Sequence, residues 1–187
     1  MAEPREGEAR EEIERIARAV IAGEETIEVP QVLTEEKVER QPAAPDTPIS
    51  HSLWAQIQAM TVAQQVKLAL KGNKDARSIL IRSTNRMIQR MVLQNPRITE
   101  DEILSLAKNR NSDEEVLRII AEAREWTGLY QVRTALVENA RTPLTHALRL
   151  IRTLADRELR ALAKSKNVPQ VIASQARKVL FNKESVR

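Results

Sequence analysis

A short helical phrase that ends in asparagine occurs three times in this sequence. Its copies are Val66-x-x-Ala69-x-x-x-Asn73, Ile88-x-x-Met91-x-x-x-Asn95 and Val132-x-x-Ala135-x-x-x-Asn139, which start 22 and 44 residues apart. A second phrase, LAK-x-basic-Asn, ends at Asn111 and again at Asn167. Repetition of short helical phrases predicts a stack of helices, because each unit must bury its apolar face against a neighbour.

The repeated residue types have structural explanations. A residue without excess bulk at positions 69, 91 and 135 suits the crossing point of two helices. Asparagine suits a turn, because it tolerates a left-handed backbone and forms local hydrogen bonds. We therefore expect the asparagines at 73, 95, 111, 139 and 167 to shape turns rather than to bind ligands.

Start and stop signals divide residues 53–183 into about nine short helices. Helix starts are predicted at Ser52, Thr61, the capping box Thr99–Glu102, Ser112 with Glu115, Thr142-Pro143, Asp156 and Pro169. No segment has the alternating pattern of a strand. The fold class predicted is all-α, with short antiparallel helical hairpins stacked on one another.

The composition supports this fold class. Hydrophobic residues make up 42% of the chain, but only four are aromatic, so the core must be built from Leu, Ile, Val and Ala. Glycine occurs only four times, which argues against glycine-rich phosphate loops. Cysteine is absent, which excludes disulfides, thiolate metal sites and cysteine nucleophiles.

Charge separates an acidic arm from a basic domain. Residues 1–50 contain 6 Lys/Arg and 13 Asp/Glu, a net charge of −7, whereas residues 51–187 have a net charge of +11. We expect residues 1–50 to be a largely disordered arm and linker. A helical-repeat domain should occupy residues 51–183, with a frayed tail at 184–187. Blocks of opposite charge suggest an interaction tail, a cover for a basic surface, or two separately solvated surfaces.

Two parts of the arm carry apolar residues. Ile13, Ile16 and Val20 form one stripe of a possible short amphipathic helix at 8–22. Such a helix is marginal alone, so it either docks back, folds on a partner or stays frayed. Ile27–Val29 and Val32-Leu33 lie in a segment with prolines at 30, 42, 45 and 48. This segment is either an extended linker or a linear motif laid along another surface.

Three segments lie at predicted turns: NPRIT (Asn95–Thr99), NARTP (Asn139–Pro143) and LAKSKNVP (Leu162–Pro169). Through these segments, residues 61–181 resemble HEAT-like and armadillo-type α-helical repeat domains. These segments are also similar to turns of a bacterial HEAT-like family without an assigned biochemical activity. The resemblance implies an α/α superhelix that binds proteins, or in some cases nucleic acid, on an extended surface.

No residue pattern indicates an enzyme, a cofactor or a metal site. His51 and His146 each lack a second histidine or cysteine at ligand spacing. No nucleophile elbow and no phosphate-binding glycine loop is present. The acidic clusters Glu100–Glu102 and Asp113–Glu115 lie at helix starts, where capping and the helix dipole explain them.

The candidate partner-binding residues are basic or aromatic. Lys108 and Arg110 flank one turn, and Lys164 and Lys166 occupy the matching positions of another. Regular stacking would project both pairs from one edge. Arg124 and Arg133 add positive charge, and Trp126 is either a buried wedge between helices or an exposed anchor for a partner.

The sequence therefore predicts a non-enzymatic scaffold or adaptor that binds a protein partner. The alternative is a nucleic-acid-binding module that uses the basic face, although aromatic residues for stacking on bases are few. HEAT-like alkylpurine DNA glycosylases make a DNA-modifying enzyme a third, weaker class. The acidic N-terminus has no apolar run, and no long apolar stretch occurs. We accordingly expect no secretory signal, no membrane insertion and a cytoplasmic location.

Overall fold

The structure is a computed structural model that describes residues 6–24, 27–36 and 48–185. These residues contain twelve α-helices, two short 3-10 turns and no strand, so the predicted all-α class is confirmed for the part of the chain described. The chain forms two compact units, Met1–Ile98 and Thr99–Arg187. The division falls inside the predicted 51–183 domain. None of the described helices is both long and apolar enough to cross a membrane.

The described residues of the first unit form five α-helices: α1 (Glu6–Ala22), α2 (Pro48–Gln58), α3 (Val62–Lys71), α4 (Lys74–Leu80) and α5 (Arg86–Leu93). Helix α3 lies against both α1 and α5. The predicted cap at Thr61 is confirmed as a full capping box with Gln64. Val66 and Ile88 begin two of the repeated phrases, and both are buried in the core of this unit together with Ala69 and Met91.

The acidic arm includes ordered structure. Helix α1 buries Ile13, Ala17 and Val20, because these positions share the face that packs against α3. A 3-10 turn at Gln31–Leu33 follows, and Leu33 is fully buried. Largely disordered structure is thus not confirmed for residues 6–24 and 27–36. The remaining residues of the predicted arm and linker, 1–5, 25–26 and 37–47, lie outside the described residues.

The second unit contains seven α-helices. These are α6 (Glu100–Lys108), α7 (Glu114–Glu122), α8 (Arg124–Thr127), α9 (Tyr130–Glu138), α10 (Leu144–Leu150), α11 (Asp156–Lys164) and α12 (Gln170–Ser185). A 3-10 turn, Ile151–Thr153, follows α10 directly. Helix α6 packs against α7 and α9, and α11 packs against α12. The predicted capping box of Thr99 with Glu102 opens α6.

Several predicted helix starts were wrong by one residue or more. Asp113, not Ser112, caps α7, whereas the Ser112 hydroxyl donates to the Leu106 carbonyl at 2.7 Å. Asp156 lies inside the first turn of α11 and accepts a hydrogen bond from Lys183 Nζ. Pro143 precedes α10 instead of opening it. Helix α2 begins at Pro48, which places the predicted cap Ser52 within the helix.

Asn73 and Asn139 do not adopt the left-handed backbone that asparagine tolerates in turns. The φ angles are −73° at Asn73, −72° at Asn109 and −83° at Asn139. Gly23 is the only described glycine with a positive φ, 77°. The side chains of Asn95, Asn109 and Asn139 instead accept a hydrogen bond from the N–H two residues later. Local bonding therefore accounts for asparagine at 95, 109 and 139. Left-handed geometry does not account for Asn73, Asn109 or Asn139.

Candidate functional site

A peptide segment of the acidic arm is held by side chains of the first unit. This 27–36 segment (residues 27 to 36) presents its backbone carbonyls to helices that lie far away in sequence. Gln64 Nε2 donates to the Glu28 carbonyl at 3.1 Å, and Lys67 Nζ donates to the Ile27 carbonyl. One turn of helix separates these two donors on α3.

Asn73 and Arg97 hold the second half of the segment. Asn73 Nδ2 donates to the carbonyls of Val32 and Glu35 at 2.8 and 3.0 Å. The Asn73 backbone N–H donates to the Leu33 carbonyl at 2.8 Å. Arg97 donates to the Thr34 carbonyl at 2.8 Å. The carbonyls of six residues, 27, 28 and 32–35, are thus bound. Hydrogen bonds to carbonyls recognise a peptide backbone rather than a particular sequence.

Two side chains of the segment also make specific contacts. Leu33 is 1% exposed, while its neighbour Val32 is 56% exposed. The Glu36 carboxylate accepts from Arg77 Nη1 at 2.9 Å. Arg77 is 2% exposed and also donates to the Gly72 carbonyl at 3.0 Å. A buried guanidinium needs such acceptors, because an unpartnered charge in the interior is costly.

Local sequence explains how the donors are positioned. Gln64 is the third residue of α3, where its side-chain oxygen completes the capping box with Thr61 and its nitrogen remains to bind the segment. Asn73 caps α4 through its side-chain oxygen, which accepts from the Ala76 N–H at 3.0 Å. Its nitrogen is therefore directed away from α4 and toward the segment.

The contact made by Asn73 repeats elsewhere in the chain. Asn95 Nδ2 donates to the carbonyls of Ala69 and Gly72, at the end of α3. Asn139 Nδ2 donates to the carbonyls of Ala107 and Asn109, at the end of α6. In each case an asparagine binds the end of a preceding helix. Asn73 makes the same kind of contact, but its acceptors are carbonyls of the 27–36 segment instead of carbonyls at the end of a helix.

Charge favours this pairing of segment and helices. Residues 51–98 contain eight Lys/Arg and a single acidic residue, Asp75, for a net charge of +7. The arm, residues 1–50, has a net charge of −7. Helix α1 and the 27–36 segment both belong to the arm and both lie on this basic part of the first unit. The arm's charge therefore opposes the charge of the helices that it contacts.

The basic residues predicted as a partner surface lie in the second unit. Lys108 and Lys164 are in the last turns of α6 and α11, and Arg110 and Lys166 follow in the adjacent turns. All four side chains are exposed, and none forms a hydrogen bond or ion pair with another described residue. They end helices of different pairs, since α6 packs on α9 and α11 packs on α12.

The other predicted partner residues surround the single-turn helix α8. Trp126 is half-buried, and Arg124 in the same helix is exposed. Arg133 lies over the Tyr130 ring at 5.3 Å from its centroid. The Arg133 Nε is buried without a hydrogen-bond partner among the described residues. Tyr130 in turn accepts from the Ala155 N–H at 3.0 Å, so this ring connects α9 with the start of α11.

The residues predicted in the arm helix serve the first unit itself. Ile13 and Val20 are buried, and Ile16 is half-buried on the adjoining face of α1. Their burial leaves Ile21, at 68% exposure, as the large apolar residue of α1 that faces solvent.

The second unit also has an open groove of about 490 Å³. Its walls are the turn Asn139–Pro143, the first turns of α10 and α12, and Glu114 at the start of α7. Leu144 and Val171 are exposed beside it. The Thr142 hydroxyl, on the same turn, is buried without a hydrogen-bond partner among the described residues.

Titratable side chains cluster at one place in the second unit, around Arg118. The described residues contain no group of three or more His, Asp or Glu that could hold a metal ion. Hydrogen bonds from Arg118 to Glu115 and then Glu122 raise the pKa of the Arg118 guanidinium, which keeps it charged. His146 Nε2 lies 3.7 Å from the Glu122 carboxylate at the edge of this cluster.

Sequence reasoning missed Gln64, Lys67, Arg77 and Arg97 as functional candidates. One signal was present, because Arg77 follows Ala76 on the inward face of a short helix, where a charged residue is unexpected. No comparable signal in the sequence marks the other three donors, Gln64, Lys67 and Arg97. Comparisons with protein-family models, with curated proteins and with solved structures found no match to this chain.

Proposed function

We propose that this chain is a non-enzymatic adaptor whose first unit binds a peptide segment of a protein partner. The observation that carries the proposal is the set of side chains that hold the carbonyls of the 27–36 segment. Side chains arranged along a helical surface to bind a peptide backbone are a recurring basis of protein recognition. The chain's own segment is the resident occupant of this site.

The proposal includes HEAT-like stacking of the helices. Its support is the repeated contact in which Asn95 and Asn139 bind the end of a preceding helix. A unit that binds the end of the unit before it can continue over several repeats, as stacked repeat proteins require. The 27–36 segment of the acidic arm is then part of the first unit, and it competes with the partner peptide for the same binding site.

A peptide titration tests the proposed function. The protein is the full-length chain in which residues 27–36 are replaced by Gly and Ser residues of equal number, called here the Gly-Ser variant. A fluorescently labelled synthetic peptide with the sequence of residues 27–36 (IEVPQVLTEE) is the probe. We expect saturable binding by fluorescence anisotropy. No binding up to about 1 mM peptide, with helical content retained, overturns the proposal and leaves the segment as a structural cap.

A matched pair of lysines locates the binding. In the Gly-Ser variant, Lys67→Ala should weaken peptide binding about tenfold, since its ammonium donates to the Ile27 carbonyl. Lys71→Ala is the control, because Lys71 lies one turn later on α3 and is exposed. Equal losses from both substitutions would indicate general charge attraction instead of a defined site.

Nucleic acid is the second candidate partner. The net charge of +7 on residues 51–98 favours it, and the side chains of Lys71, Lys74, Arg82, Arg86 and Arg90 are exposed there. Binding through phosphates requires a steep loss of affinity with salt. Absence of measurable binding to duplex DNA or RNA at about 50 mM salt would reject this candidate.

A further inference from the structure

Two side chains of the 27–36 segment point to a sequence preference of the site. Leu33 is 1% exposed, and the Glu36 carboxylate is hydrogen-bonded to the buried Arg77. Their immediate neighbours behave differently. Val32 is 56% exposed, and Glu35 is exposed and contributes its backbone carbonyl to Asn73.

The site at Leu33 favours an apolar side chain of similar size. Interiors are closely packed, so a smaller residue leaves a cavity and a polar residue loses its hydration without a substitute. The Leu33 carbonyl is fixed by the Asn73 N–H at 2.8 Å, which places the side chain at a defined position along the site.

Arg77 favours a carboxylate three residues after the leucine. Its guanidinium is 2% exposed and donates to Glu36 Oε1 at 2.9 Å. A charged donor bonds most strongly to a charged acceptor, and removing a charged acceptor from a buried cation costs more than removing one from a cation at the surface. Glu36 itself is 45% exposed, so salt should weaken this contact in part.

We propose that the partner carries a leucine followed three residues later by an aspartate or glutamate, and that it displaces the 27–36 segment to bind. The inference rests on the proposed function and specifies the partner that the site accepts. The resident segment competes from within the same chain, at an effective concentration on the order of millimolar. Such competition lowers the apparent affinity of the intact protein and makes it dependent on release of the segment.

A panel of five peptides tests this preference. The labelled peptides have the sequence of residues 27–36 either unchanged or with Leu33→Ala, Val32→Ala, Glu36→Gln or Glu35→Gln. Binding to the Gly-Ser variant is measured by anisotropy. Each informative substitution has a neighbour as its control: Val32→Ala removes an exposed apolar side chain, and Glu35→Gln removes the same charge one residue away.

We expect Leu33→Ala to weaken binding about thirtyfold, because the buried methyl groups are lost. Glu36→Gln should weaken it about tenfold, and less so at high salt. The two control peptides should stay within about twofold of the unchanged peptide. The unchanged peptide should bind wild-type protein at least about tenfold more weakly than it binds the Gly-Ser variant.

The outcomes separate the two proposals. Binding of all five peptides with equal affinity overturns the sequence preference and leaves backbone recognition intact. Failure of every peptide to bind the folded Gly-Ser variant overturns the proposed function itself. Equal affinity for wild-type protein and the Gly-Ser variant shows that the resident segment does not compete, which overturns the displacement step.

A second measurement tests the proposal in the case that the Gly-Ser variant does not fold. The same four substitutions are made in the full-length chain, and amide hydrogen exchange is followed at Leu33, Thr34 and Glu35, whose N–H groups donate to Pro30 and Gln31. We expect Leu33→Ala and Glu36→Gln to accelerate exchange about tenfold or more relative to Val32→Ala and Glu35→Gln. Equal exchange in all four proteins contradicts the proposal.

Discussion

The side chains of Asn73, Asn95 and Asn139 join elements that are separated in sequence, and they do so by the same chemistry. Each oxygen accepts from a backbone N–H within its own turn, and each nitrogen donates to two carbonyls at the end of a preceding element. Carbonyls at the ends of helices have no partner within the helix. One carboxamide therefore satisfies three backbone groups, and all three asparagines are buried. Only the carboxamides of asparagine and glutamine combine a carbonyl acceptor with two N–H donors, and asparagine is the shorter of the two.

This assignment predicts a specific loss of stability at Asn139. Asn139→Ala removes bonds to the carbonyls of Ala107 and Asn109 and to the Arg141 N–H, so the second unit should lose about 2–3 kcal/mol of unfolding free energy. Urea unfolding of both proteins in a Trp54→Phe background isolates the fluorescence of Trp126, which lies in this unit.

Asn109→Ala is the matched control for Asn139→Ala. Asn109 also follows a helix, but it is exposed, and the Asn111 N–H is the only group among the described residues that its side chain bonds to. The loss should stay below about 1 kcal/mol. Similar losses from the two substitutions would contradict the idea that the bonds to the preceding helix carry the stabilisation.

At the scale of elements, helix α1 is stabilised by packing against α3 rather than by its intrinsic helix propensity. A helix of 17 residues is marginal in water, and its stability comes from packing an apolar face. Val20 is 2% exposed and Ile21 is 68% exposed, although the two are adjacent. Adjacent positions on a helix differ by about 100°, so only one of them can face α3.

Substitutions at these adjacent positions should differ in effect. Val20→Ala should destabilise the docked α1 by about 2 kcal/mol, because it leaves a cavity against α3. Amide exchange within α1 should then accelerate about thirtyfold. Ile21→Ala should change exchange by less than about threefold. A chain in which both substitutions act alike would have an undocked α1.

Local chemistry explains which elements sequence reasoning could predict. The partners in the capping boxes of Thr61 with Gln64 and Thr99 with Glu102 are only three residues apart, so the local sequence pattern alone marks them. Ser112 was mistaken for a cap because its hydroxyl bonds to Leu106 in the preceding helix, which the local pattern does not show. The 27–36 segment is harder still. Its acceptors are backbone carbonyls, which no residue type marks, and Arg97 lies 63 residues from Thr34.

At the scale of the whole chain, charge distinguishes the arm from the two stretches of helices after it. The net charge is −7 for residues 1–50, +7 for residues 51–98 and, by difference from the total of +4, also +4 for residues 99–187. The net charge of the arm is therefore equal in size and opposite in sign to the net charge of residues 51–98 in the same unit. Attraction between these two parts adds to apolar packing, and it also lowers the attraction of the basic helices for any other anion.

This balance predicts that the arm's charge controls polyanion binding. Glu8, Glu11 and Glu12 are exposed on α1, and their replacement by glutamine changes the arm from −7 to −4. We expect this full-length variant to bind duplex DNA more tightly than wild type at about 50 mM salt, with the difference lost at about 300 mM.

The control replaces Glu114, Glu125 and Glu138, which are exposed in the second unit, and so produces the same net charge. An equal gain from both triple variants would show that total charge alone matters. A larger gain from the α1 variant, measured by anisotropy of labelled DNA, assigns the effect to the arm, because screened interactions act over about 10 Å.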